Sequence, residues 1–151
     1  MAVSAEQVKA LRDATGVSMI ECKKALEAAD GNMDKALDIL RARSNEIAAK
    51  KSDRALGAGV VASYIHSTGQ VGAMVVLSSE TDFVSKNEEF SALARDIAMH
   101  AAAMRPQNVA ELLEQPFIKD STQTIAGLIS GATQKFGERV EISSLSVASV
   151  A

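Results

Sequence analysis

The residues of this 151-residue chain best suited to nucleophilic, acid–base or metal chemistry are two histidines and one cysteine, and their placement supports little of it. Neither His66 nor His100 has a second imidazole at metal-ligand spacing, so both read as solvated or interface side chains. Cys22 falls on the apolar side of a helical repeat, where a buried thiol is the simpler reading than a nucleophile. One cysteine makes no intrachain disulfide and no CxxC pair, which fits a reducing compartment. Glycine-rich phosphate loops of the P-loop and dinucleotide types are both missing, so the chain is not expected to hold a nucleotide itself. These residues argue against an enzyme, and no cofactor or metal is expected.

The most unusual local stretch is Ser78-Ser79-Glu80-Thr81-Asp82-Phe83-Val84-Ser85, where two carboxylates and a phenylalanine share one turn between an apolar strand and a long helix. Two readings of it stand. In the first it is helix initiation, with Thr81 or Asp82 as the cap, Ser85 and Glu88 as a capping box, and Phe83 packed inward. In the second it is a rigid corner that presents Asp82 and Phe83 outward to a partner, since binding residues often sit on loops held by a scaffold.

The elements that must position this corner follow from periodicity. Residues 1–44 carry three helices, each with a start signal, a 3.6-residue apolar repeat and a stop. Ser4 with Gln7 opens the first, Val8 and Leu11 line it, and Thr15-Gly16 closes it. Ser18 with Glu21 opens the second, which aligns Met19, Cys22, Ala25, Leu26 and Ala29 before Asp30-Gly31. Asn32 opens the third, with Met33, Ala36, Leu37 and Leu40, fading at Arg41, Arg43 and Ser44. Residues 45–57 are expected to be a partly helical, solvated linker. Arg41, Arg43, Lys50, Lys51 and Arg54 cluster around it, either as a solvated face or as a surface for an acidic partner or RNA.

After Gly57 the period drops to two. Val60–His66 and Val71–Ser78 predict a hairpin; Phe90, Leu93, Ala94, Ile97, Ala101 and Met104 predict a helix stopped by Pro106; and Val109–Leu113 adds a turn. Pro116-Phe117-Ile118 reads as a short extended segment, residues 125–133 as a helix and residues 140–150 as a last strand. The expected fold class is therefore α+β, with residues 58–151 forming a core around a three-stranded antiparallel sheet that is covered on one face.

Composition narrows the partners. Apolar residues make up 47% of the chain but the rings are only four Phe and Tyr64, so packing must rest on small and aliphatic side chains. A net charge of −3 lacks the basic excess of a general nucleic-acid binder, and direct nucleic-acid contact is not expected. Apolar runs fall far short of the ~20 residues needed to cross a bilayer, and the first residues are too charged for a signal peptide, so no membrane is expected and the cytoplasm is.

Two motifs carry a family resemblance. The run from Val8 to Leu26, continuing to Asp30-Gly31 and Ala36, resembles the N-terminal ubiquitin-associated-like helical domain of the translation elongation factor Ts family. Glu80-Thr81-Asp82-Phe83-Val84, preceded by Val75-Val76-Leu77 and followed by Asn87 and Phe90, is similar to that family's signature at its contact with a GTPase. Tyr64-Ile65-His66, Ile97-Ala98-Met99-His100 and Gln115-Pro116-Phe117-Ile118-Lys119-Asp120 extend the likeness, which covers Val8 to Thr124.

The resemblance implies a guanine-nucleotide exchange factor for elongation factor Tu, bound in its GDP-loaded and nucleotide-free states, in the bacterial cytoplasm or an organelle matrix. It implies Leu11, Met19, Ile20 and Lys23 as helical-domain contacts to the G domain. Asp82 and Phe83, flanked by Thr81 and Val84, would insert near the magnesium and phosphate site, with His66 as a second contact. Long family members carry two related core subdomains and a protruding helical hairpin; the single core here resembles the short, two-fold forms and implies a homodimer. The last strand, Glu141–Ala151, departs from the Arg- and Phe-bearing strand of the family. A Tu-binding or sequestering protein without exchange activity is the alternative, and a ubiquitin-like or helix-docking binder a remote third.

Overall fold

The helix-start signals of the first forty residues are realised as hydrogen bonds. In the computed structural model, which describes residues 2–151, Ser4 caps α1 (Ala5–Thr15) with a complete capping box. The Gln7 N–H donates to Ser4 Oγ at 3.1 Å, and the Ser4 N–H donates to Gln7 Oε1 at 3.0 Å. Gly16, at φ 71°, closes the helix in the left-handed conformation that suits glycine. Ser18 caps α2 (Met19–Ala28) through the Glu21 N–H, but the return bond is not made: the Glu21 carboxylate instead meets Arg43 at 2.7 Å and Lys24 at 3.4 Å. Asn32 caps α3 (Met33–Lys50). Val8, Leu11, Val17, Cys22, Leu26 and Leu40 form the core of this helical module, with alanines 25, 29 and 36 letting the helices close together.

α3 does not fade at Ser44. It runs on through Lys50, because residues 45–50 are good helix formers and its second half has α7 (Ile125–Phe136) to pack on. Ser44 is buried there and bonds Leu40 O (3.0 Å) and the Gln134 side chain. The first six residues of the segment expected as a linker, 45–50, thus continue the helix, and residues 51–57 form turns and irregular chain.

The remaining chain forms β1 (Ala58–Ile65), β2 (Val71–Ser79), the single-turn α4 (Asp82–Ser85), α5 (Glu88–Met104), α6 (Val109–Glu114), β3 (Pro116–Phe117), β4 (Asp120–Thr124), α7 and β5 (Glu141–Ser149). The main sheet is antiparallel throughout in the order β1-β2-β5, as expected of an α+β fold. Its inner face brings Ala62, Ala73, Val75, Leu77 and Ile142 against Phe90, Ala94, Ile97 and Ala98 of α5. Phe90 meets Phe136 edge-on, with centroids 5.8 Å apart. Alanine on both sides draws helix and sheet close, and glycine does the same between strands: a Cβ on Gly59 would lie 2.6 Å from the Leu77 carbonyl oxygen.

Two expectations change, and one strand carries no sequence signal. Asn87, not Ser85, caps α5; Ser85 is buried in α4. Met104, placed on the buried stripe, is exposed, because the helix ends there and Arg105 turns left-handed at φ 47°. β4 has no apolar alternation to announce it; Asp120 organises it by accepting from the Thr122 hydroxyl (2.6 Å), Gln123 Nε2 (2.9 Å) and the Thr122 N–H (3.1 Å). Those bonds, the Thr122 hydroxyl first, hold the Asp120 carboxyl below its ordinary pKa.

Burial separates the two phenylalanines of the 80s and 90s. Phe90→Ala should cost about 3–5 kcal/mol in urea unfolding, the usual range for emptying a core phenylalanine site. Phe83→Ala should change stability by less than ~0.5 kcal/mol, as at other exposed positions.

Candidate protein-interaction site

At the end of β2 the chain leaves the sheet at Ser79, crosses Glu80 and Thr81, and turns once through α4 before α5 begins. Val84 and Ser85 are buried and anchor the turn; Phe83 is 94% exposed, and Asp82 beside it is exposed as well. The Phe83 ring is not packed inward; it faces solvent with Asp82 beside it. Thr81 occupies the cap position but makes no side-chain cap bond. Its hydroxyl donates to Glu138 Oε2 at 2.6 Å and its N–H donates to Glu138 Oε1 at 3.0 Å. Beneath it, the Arg139 N–H donates to Glu80 Oε2 at 2.6 Å, and Arg54 Nη1 lies 3.6 Å from Glu80 Oε1. The Ser79 hydroxyl donates to the Thr81 carbonyl at 3.0 Å. The corner is tied from several sides while its ring faces solvent. Burying a fully exposed phenylalanine releases about 1.5–3 kcal/mol, so a partner with a matching apolar slot has a real incentive to take it.

The helical-module candidates separate by exposure. Met19 and Ile20 are 46% and 68% exposed at the start of α2, and Lys23 is exposed one turn on, 3.8 Å from Glu27. Leu11 is fully buried: its side chain belongs to the module's core and supports α2 rather than meeting a partner. His66 is exposed and its Nδ1 lies 3.1 Å from the Tyr64 hydroxyl. The register that pairs Ala58 with Ser79 puts His66 at the opposite end of the hairpin from the corner, roughly 25 Å away along the strands.

His100 corrects the sequence reading. It is fully buried, accepts the Ile118 N–H at Nδ1 (3.1 Å) and sits 2.9 Å from Gln115 Oε1 through Nε2. Because Nδ1 accepts, the ring proton belongs on Nε2, and the imidazole pins the α6–β3 connection onto α5. Cys22 is buried as expected, and burial pushes its thiol pKa up, which suppresses the reactive thiolate. Among the described residues, no three of His, Cys, Asp or Glu gather as metal ligands, and no helix is long and apolar enough to cross a membrane.

The basic cluster is largely engaged internally. Arg41 reaches Thr122, Arg43 pairs with Glu21, Lys51 donates to the Gly137 carbonyl and Arg54 meets Glu80. Three of these four clip α3 and the chain just after it to the α+β module. Sequence reasoning missed Glu138 and Arg139, which hold the corner from more than fifty residues away; nothing local to either segment signals the pairing.

These features describe an α+β protein that carries a three-helix module at its N-terminus and a fixed corner with an exposed ring at the head of its longest core helix. A family model described as Elongation factor TS matches residues 4–111 and, separately, residues 80–150. An elongation factor Ts from Trichlorobacter lovleyi is 42% identical over 142 residues, covering 94% of this chain and 46% of that protein. One from Thermosipho melanesiensis is 44% identical over 151 residues, covering 90% of this chain and 77% of that protein. A third, from Acetivibrio thermocellus, is 37% identical over 185 aligned positions, 93% of this chain and 86% of that protein. The chain belongs to the elongation factor Ts family. It spans about half the length of the Trichlorobacter relative, and the Acetivibrio alignment is longer than the chain itself, so that relative has segments with no counterpart here.

The burial of Cys22 is directly testable. In the native protein its thiol should resist an aromatic disulfide reagent for hours, and in denaturant it should react within minutes; fast labelling of native protein would contradict the packing of α1 on α2.

Proposed function

We propose that this chain is a guanine-nucleotide exchange factor for elongation factor Tu, and that it acts by inserting Asp82 and Phe83 near the magnesium and phosphate site of the G domain. The observation that carries this reading is the 94% exposure of Phe83 on a corner whose flanking backbone is tied down. A ring held outward before binding loses little conformational freedom on insertion, and the Asp82 carboxylate beside it would compete for the groups that hold the metal and the β-phosphate. GDP affinity then falls because its site is deformed. No bond is made or broken. Coupling is reciprocal: whatever factor this protein removes from GDP affinity, GDP removes from its own, so rebinding of nucleotide ejects it.

In the same reading the N-terminal helices are a ubiquitin-associated-like domain that docks on the G domain through Met19, Ile20 and Lys23. His66, at the hairpin tip beside Tyr64, supplies a second contact. A single core copy is supported by the two family-model matches, which share residues 80–111 as one copy would when fitted to a model with two related ones. The exposed sheet face supports a homodimer. It carries Val61, Ile65 and Met74 among Ser63, Gly72, Ser144, Ser146 and Ala148, none of them charged, and a second copy laid across it would cover that apolar strip. Bacterial cytoplasm or an organelle matrix is where this activity would operate.

Release of a fluorescent GDP analogue from the cognate Tu tests the insertion. Wild type should accelerate release, and Phe83→Ala should lose roughly tenfold or more of that acceleration, since ~1.4 kcal/mol of lost ring contact is a factor of ten. Equal acceleration by both proteins would remove the insertion mechanism. Stable complex formation by wild type without faster release would instead favour the sequestering protein. Sedimentation tests the assembly: wild type should run as a dimer and Met74→Glu, which puts a charge in the centre of the sheet face, as a monomer; a dimer unmoved by that change would mean another interface.

A further inference from the structure

We infer that Glu138 is a positioning residue for the exchange corner: from the turn between α7 and β5 its carboxylate grips both donors of Thr81 and so sets the direction of the Phe83 ring. This rests on the proposed exchange function and names a residue far from the signature stretch that the function would depend on.

α4 has four residues, well below the length at which a helix sustains itself. Its orientation must therefore come from its attachments. On the C-terminal side, Val84 and Ser85 are buried, and the Asn87 N–H donates to the Val84 carbonyl at 3.0 Å. On the N-terminal side, Thr81 is extended (φ −130°, ψ 158°) and its hydroxyl does not cap the helix. Both of its donors go to one carboxylate, at 3.0 Å and 2.6 Å, the second in the range of charge-assisted O–H···O⁻ bonds. Two bonds from one rigid group fix direction as well as distance, which a single bond does not.

Glu138 is itself well placed to act as a fixed post. Gly137, left-handed at φ 72°, ends α7 directly before it, and Lys51 Nζ donates to the Gly137 carbonyl at 3.1 Å. Directly after it, the Arg139 N–H donates to Glu80, and the Arg139 guanidinium is held by Glu141 Oε1 at 2.6 and 3.1 Å and by the Arg54 carbonyl. The two segments thus exchange carboxylates: Glu138 holds Thr81, and Glu80 holds the backbone at Arg139. Phe83 lies two residues beyond the gripped Thr81, close enough for a pivot there to swing the ring.

The test compares Glu138→Ala, Glu138→Gln and Thr81→Val in two measurements. Glutamine keeps both bonds, its carbonyl accepting the Thr81 N–H and its amide donating to the hydroxyl oxygen, whereas alanine keeps neither. The first measurement is amide hydrogen exchange over residues 81–84 of the free protein, which does not depend on any partner. Glu138→Ala should speed exchange at Thr81 at least tenfold, and Glu138→Gln should restore most of the protection. The second is release of the fluorescent GDP analogue from Tu across a range of factor concentrations. Glu138→Ala should lower the maximal rate severalfold with little change in the half-saturating concentration, because the helical module still docks, and Glu138→Gln should recover it. Thr81→Val removes the hydroxyl bond from the other side and should fall between wild type and Glu138→Ala; it decides the matter if Glu138→Ala does not fold. Wild-type protection at Thr81 in Glu138→Ala, or equal loss in Glu138→Gln and Glu138→Ala, would overturn the role. If protection follows the expected order while Phe83→Ala exchanges nucleotide like wild type, the positioning stands and the exchange mechanism fails.

Discussion

The contact on which the structure depends is α5 laid across β1 and β2. Phe90, Ala94, Ile97 and Ala98 meet Ala62, Ala73, Val75 and Leu77 with small residues on both sides, so helix and sheet approach closely without many rings to fill the gap. That contact fixes where β2 ends and where α5 begins. The chain between, from Glu80 to Asn87, has no freedom to wander and must make a tight corner. Its buried positions, Val84 and Ser85, serve the core; its free position, Phe83, is left over for something else. In a chain with only four phenylalanines, one placed almost wholly in water is a conspicuous expense, and the two carboxylate grips around it suggest that its direction matters.

Most of the secondary structure was legible because it is written locally. Capping residues at Ser4, Ser18 and Asn32, the stripe on α5 and the alternation of β1 and β2 each announce themselves within a few residues. What could not be read was long-range. α3 continues past Ser44 because α7 covers it, and His100 is buried because the chain after α6 folds back over it; neither cause lies near the residue it affects. β4 is shaped by side-chain bonds to Asp120 and lacks an apolar signal. The candidate site divides in the same way. Asp82 and Phe83 stand out by composition; Leu11, a contact only by family resemblance, shares the apolar face with Val8 by its spacing and is buried; and Glu138 gives no local sign at all.

The cluster of basic residues around α3 shows that charge content alone does not tell what a charge meets. In sequence it reads either as a solvated face or as a surface for an acidic partner or RNA. In the fold, Arg41, Lys51 and Arg54 reach Thr122, the Gly137 carbonyl and Glu80, and so join the helical module to the α+β module. Each such exposed contact is individually weak, worth under about 1 kcal/mol. Their value is placement, since Lys51 and Arg54 arrive at the same turn and corner that Glu138 and Glu80 lock.

The unbroken course of α3 has a consequence for the proposed binding in two places at once. Eighteen residues of helix are about 27 Å of stiff rod, and its far half lies along α7 rather than hanging free. A flexible tether between modules would let Met19 and Ile20 engage a partner while Phe83 searched a large volume for its own contact. A rod packed at its far end removes that search: once one patch is seated, the effective concentration of the other depends on geometry instead of on tether length. The spacing between the two patches is then a fixed dimension of the molecule, a ruler that a partner of matching size would satisfy and one of another size would not.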